Sequence, residues 1–186
     1  MRREAGFTSV IRYGPKRKVD ILTAYNHSLK SSSMNASEFL TAASLDNYLA
    51  RLHENTAPEW GKMNAVQMLE HLGLGIAFSC NKHGTLPILT PPEKIERYKQ
   101  FIYSDMEMQH SLPSPLQGDV PPLPHSGNLL SARQYLLDEI SDFNAYFQQH
   151  PEEKTVHHIF GMLDYEEWKA FHRKHFLHHF KQFGIL

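Results

Sequence analysis

Two stretches of this chain begin with the same four-residue device, and that device fixes where helices must start. Asn64 is followed three residues on by Gln67, and Asp164 by Glu167. A short polar side chain at a helix N-cap accepts from the backbone N–H of the third residue, and a Gln or Glu there reaches back to the N–H of the cap. Downstream of each pair the apolar residues return at intervals of three and four. From about Ala65, the residues Met68, Leu72, Gly75 and Ile76 share one face with His71, so that imidazole points toward the core. Asn81-Lys-His-Gly84 and Pro87 then end the helix near Cys80. The second device opens a helix from Tyr165 to Phe183, with Gly184 as its stop. Trp168, Phe171, His175, His179 and Gln182 recur on one of its faces.

Two further helices follow from spacing alone. One runs from Ser37 to near Glu54, with Leu45, Tyr48, Leu49 and Leu52 at i, i+3, i+4 and i+7. The other begins between Leu129 and Ser131 and buries Leu136, Ile140, Phe143 and Phe147. A Pro-rich crossover extends from Cys80 to about Asn128 and contains one short helix over Glu93 to Tyr103. After Pro151 an irregular turn leads into Phe160-Gly-Met-Leu163, and no segment alternates convincingly as a strand. Four main helices with a long connection between the second and third predict an all-α protein, a four-helix bundle.

Residues 1–33 stand apart. Seven basic residues (Arg2, Arg3, Arg12, Lys16, Arg17, Lys18 and Lys30) oppose Glu4 and Asp20, giving +5; with a net charge of -1 the remainder carries -6. No period runs through this segment, which reads as a disordered basic tail. Its Arg-rich, acid-poor composition also allows a transit peptide, and Met34 offers an alternative start of translation. Residues 34–186, with 41% of the chain hydrophobic and 21% charged, make one domain with one core.

The overall charge balance argues against a nucleic-acid-binding or membrane-surface protein, both of which usually carry a basic excess. Cys80 is the single cysteine, so neither a disulfide framework nor a cysteine-based zinc site is expected. That usage fits a reducing, cytoplasmic setting. No apolar run reaches the length of a membrane span.

The chain holds 13 histidines, so chance pairs must occur. His175 and His179 are four apart on the inward face of the last helix, the spacing at which two imidazoles grip one ion. His71 is the inward histidine of the second helix. Three neutral imidazoles with an open coordination position form a familiar catalytic arrangement, with zinc as the first expectation and nickel, iron or manganese as alternatives. His172 lies three before His175 and is a candidate ligand or second donor, while His178 falls on a flank. Cys80 lies on the face opposite His71. His157 and His158, in the loop before the last helix, are expected in solvent, with one of them lining the pocket as the alternative.

Trp60-Gly-Lys-Met-Asn-Ala-Val-Gln-Met-Leu-Glu-His71-Leu72 near one end, with Phe160-Gly-Met-Leu-Asp-Tyr-Glu-Glu-Trp168 and His175-Phe-Leu-His-His179-Phe-Lys-Gln182-Phe-Gly near the other, resembles the DinB/YfiT-like superfamily, and within it a branch of unknown function. The likeness covers residue 37 onward. It implies a DinB-like four-helix bundle holding a divalent metal by one histidine of the second helix and a His-x-x-x-His pair of the last, which by position are His71, His175 and His179. Gln182 stands where the superfamily often has Gln, while Phe180 and Lys181 replace a commoner Arg-Gly. Trp60 and Gly61 read as a cap and a turn, and Phe160, Gly161 and Trp168 as packing residues. The expected function is a metal-dependent hydrolase or a transferase of a low-molecular-weight thiol, with no residue assigned as a general base. The alternative is a non-catalytic, stress-associated protein, either with an ion closed off by a fourth ligand, His172 or a carboxylate, or with a small ligand bound in the bundle pocket. Expected partners are a small-molecule substrate, such as that thiol, and a second copy of the chain, with no nucleic acid and no membrane.

Overall fold

A computed structural model of the chain describes residues 40–110 and 120–186. The expected tail, and the start of the first helix at Ser37, lie outside the described residues. Five helices and one small sheet follow in the order α1 (Ala42–Leu49), α2 (Ala65–Ser79), α3 (Pro92–Tyr103), α4 (Leu129–Gln149), β1 (Thr155–His157), β2 (Gly161–Leu163) and α5 (Tyr165–Gln182). The protein is therefore mostly helical.

Both capping boxes form. Asn64 Oδ1 accepts from Gln67 N at 2.8 Å while Gln67 Oε1 accepts from Asn64 N at 2.9 Å. Asp164 and Glu167 repeat the exchange at 3.0 and 2.9 Å. The two helices that carry His71, His175 and His179 are thus phased by their first turns. α2 packs chiefly against α4, and α5 against α2, α3 and β2. Leu45, Met68, Leu72, Ile76, Leu136, Phe143, Phe176 and Phe180 have no exposed surface in the core between them.

Two expectations need correction. α1 ends at Leu49 rather than near Glu54, because Arg51 N and Leu52 N bond three residues back, to Tyr48 O and Leu49 O. This tighter turn still delivers Leu52 to the core, 4% exposed. The expected irregular turn after Pro151 contains an antiparallel hairpin, with Thr155 opposite Leu163, Val156 opposite Met162 and His157 opposite Gly161. Gly161 sits at φ +72°, and a Cβ there would stand 3.0 Å from Ile95 Cγ2, so the hairpin needs glycine at that point.

The hairpin ties α2 to α5. Thr155 Oγ1 donates to Ser79 O at 2.6 Å and accepts from Trp168 Nε1 at 2.7 Å, and Thr155 and Trp168 are 1% and 2% exposed. Thr155→Val keeps the shape and strands both partners. Each unpaired buried group costs about 1–3 kcal/mol, so the variant should melt several degrees below the native protein. An unchanged melting curve would remove the bridge from the account of how α5 is held.

Candidate metal centre

His71 comes from the middle of α2, and His175 and His179 from successive turns of α5. His71 Nε2 lies 2.9 Å from His175 Nε2, which lies 3.1 Å from His179 Nε2. One ligand atom from each residue falls within 4.8 Å of the others, so the three could hold a metal ion. Donors held about 2.0–2.1 Å from one ion stand roughly 3 Å from each other, which the two closer separations match. Gly75 faces the His175 ring, though the arrangement does not require glycine there. A Cβ there would meet the His175 ring at 3.7 Å, an ordinary contact.

The tautomer of His179 follows from its surroundings. Gln182 Nε2 donates to Trp60 O at 2.7 Å, which turns its Oε1 toward His179 Nδ1, also at 2.7 Å. An amide oxygen only accepts, so Nδ1 carries the proton and Nε2 presents its lone pair to the other two histidines. Burial drives the His175 and His179 pKa values well below the ordinary range; the neighbouring imidazoles push the same way, while the Gln182 bond opposes the shift at His179. Both are therefore neutral at neutral pH, the state a metal requires. His175 Nδ1 is buried with no hydrogen-bond partner among the described residues.

Gly61 makes room for the Gln182 contact. Its φ is +84°, and a Cβ would come within 2.5 Å of Gln182 Nε2. Gly61→Ala and Gln182→Leu should both loosen His179 without touching a ligand atom. Supporting bonds to metal-bound histidines are typically worth about 10–100-fold in metal affinity, and competition with a zinc-sensitive dye would measure it. Native affinity in Gln182→Leu would show that the amide does not orient the ring.

The remaining histidines sort differently from expectation at two places. His172 is fully buried but is not a member of the three-histidine group. Its ring stacks on Trp168 at 5.3 Å and meets the Phe143 edge at 5.6 Å. Neither of its nitrogens has a hydrogen-bond partner among the described residues, so it supplies no bond to a ligand histidine. His157, expected in solvent, is 4% exposed; its Nδ1 accepts from Ile159 N and Phe160 N at 3.0 and 3.3 Å and so closes the hairpin loop. His158 stacks on it, half-buried. As expected, His178 lies to one side, with its ring edge-on to Trp60 and to His110, which themselves stack 3.7 Å apart. Cys80 is buried, its thiol donating weakly to Ile76 O and Ala77 O, and burial raises its pKa to about 11. It remains a protonated thiol away from the three histidines.

A cavity of about 480 Å³ borders His71 and is also lined by Glu70, Leu74, His125 and Tyr135. Of these the sequence singled out only His71. Gly73 carries a trace of the arrangement: a Cβ there would stand 2.5 Å from Tyr135 Cε1, so this interior helical glycine lets the tyrosine ring lie against α2. Among the described residues no helix is long and apolar enough to cross a membrane. No family model, curated protein or solved structure matches the chain.

Proposed function

We propose that the protein is a metal-dependent enzyme of DinB-like type, a small-molecule hydrolase or low-molecular-weight thiol transferase, with zinc held by His71, His175 and His179. One observation carries the reading: three imidazole nitrogens converge from two helices, and the group they form has three members and no fourth among the described residues. Three protein ligands with an open position is the pattern of catalytic sites, whereas structural sites are closed by four. The closed-site alternative requires His172 or a carboxylate as a fourth ligand, and the packing of His172 against Trp168 and Phe143 weighs against it. A bound ion would act as a Lewis acid toward a carbonyl or would lower the pKa of a coordinated nucleophile. The chain orients the His179 imidazole through Gln182 and keeps His175 and His179 neutral by burial. Cys80, protonated and apart, is no candidate for covalent catalysis. The lone cysteine fits a reducing cytoplasmic setting.

Elemental analysis of the purified protein, paired with assays of thiol consumption by electrophiles and of ester and amide hydrolysis, tests this. Stoichiometric zinc and a chelator-sensitive activity in one panel are expected. Stoichiometric metal with inactivity in every panel would favour the non-catalytic alternative, and absence of metal would leave three packed core histidines.

A further inference from the structure

The cavity beside His71 has a chemical character of its own. Met63, Leu74, Pro122 and the Tyr135 ring supply apolar wall. Its one carboxylate is already engaged: the Glu70 oxygens accept from His125 N at 3.1 Å and from Ser126 N. Gln67 is spent in the same way, its oxygen on Asn64 N and its nitrogen on Pro122 O at 2.7 Å. These contacts pin the crossover to α2 and form the far wall. No lysine or arginine is among the described lining residues, so no permanently charged cationic side chain faces a phosphorylated or polycarboxylate ligand. Tyr135 is the hydroxyl-bearing side chain that α4 contributes to the wall, and its ring lies against Gly73. Burial first, then Glu139, holds its pKa up at about 12, with Lys82 opposing, so the hydroxyl stays a donor at neutral pH.

We propose that this cavity receives an uncharged, mainly apolar molecule bearing a carbonyl-type acceptor, with Tyr135 donating a hydrogen bond to that acceptor and His71 setting it beside the three-histidine centre. Pockets of this size, with apolar walls and a few fixed polar groups, suit small organic ligands. That the ligand is a substrate rests on the metal-enzyme reading; that the pocket binds it does not.

The neutral fluorescent naphthyl ketone prodan is a suitable probe, because its emission shifts to the red when its carbonyl accepts a hydrogen bond. Anilinonaphthalene sulfonate is the anionic comparator. Native protein should bind prodan saturably and the sulfonate at least tenfold more weakly. Tyr135→Phe keeps the ring over Gly73 and removes the donor. It should shift the bound emission to the blue and weaken binding about three- to tenfold, the worth of one neutral hydrogen bond. Leu74→Trp fills the cavity and should abolish binding; circular dichroism establishes that it is folded, and if it is not, the Tyr135→Phe spectrum decides. Identical bound emission in native protein and Tyr135→Phe, or equal affinity for the sulfonate, would overturn the proposal. Zinc measured on the same samples separates the two readings. Stoichiometric zinc with probe binding indifferent to Tyr135→Phe fails the pocket alone. The expected probe behaviour without zinc fails the metal alone.

Discussion

His175→Ala should lose its metal. His175 Nε2 is the central atom of the three, 2.9 Å from one partner and 3.1 Å from the other, so its removal leaves two donors on separate helices. Apparent zinc-binding energies of about 10–16 kcal/mol over four ligands give each ligand roughly 2.5–4 kcal/mol, which is about 10²–10³ in affinity. Purified His175→Ala should contain substoichiometric zinc, and the drop in melting temperature that a chelator causes in native protein should vanish in the variant. His178→Ala is the control, since His178 faces Trp60 and His110, and it should keep full metal. Stoichiometric zinc in His175→Ala that a chelator removes with native affinity would sink the three-histidine assignment.

Acid should destabilise the protein well before its carboxylates titrate. Burial lowers the pKa of His172 to about 3 and that of His157 well below the ordinary value. In the unfolded chain both histidines titrate near their ordinary value, about 6.5. Between these limits the unfolded state binds more protons, so stability is highest above pH 6.5 and falls as pH drops through 6.5 toward 3. At pH 5 His172 costs about 2 kcal/mol, a large share of a typical total of about 5–15 kcal/mol, and His157 acts in the same direction. His175 and His179 in the chelated protein act in the same direction. Denaturant unfolding of chelator-treated protein at pH 7, 6 and 5 should show the decline. His172→Phe, which keeps an aromatic ring between Trp168 and Phe143, should flatten the slope by about 1 kcal/mol per pH unit over that range. Equal slopes in native protein and variant would mean that His172 takes up its proton without unfolding.

What could be read in advance was local. The caps at Asn64 and Asp164, and the intervals of three and four behind them, depend on residues adjacent in sequence, and they placed α2, α4 and α5 within a residue or two. The facing of His71, His175 and His179 followed from the same arithmetic. The hairpin could not be read, because strands of three residues are too short to show a period. Its cause lies in contacts across the chain: Thr155 answers Ser79 and Trp168, and His157 closes its own loop. The role of Gln182 depends on a carbonyl 122 residues earlier. Helical spacing misled at His172 and loop position at His157, where a ring that can be neutral was used as packing.

The ligands of the candidate centre are far apart along the chain. His71 and His175 are separated by 104 residues, and the segment between them must be ordered before the two imidazoles meet. Contacts of such long sequence separation carry a high loop-closure cost and form after local helices and their first packing. The centre is therefore assembled only once α5 has met α2. On the ribosome, where the chain emerges in order, His71 waits for α5. An ion bound at all three histidines would bridge α2 and α5 only after these have met, and would act as a closing latch rather than a seed.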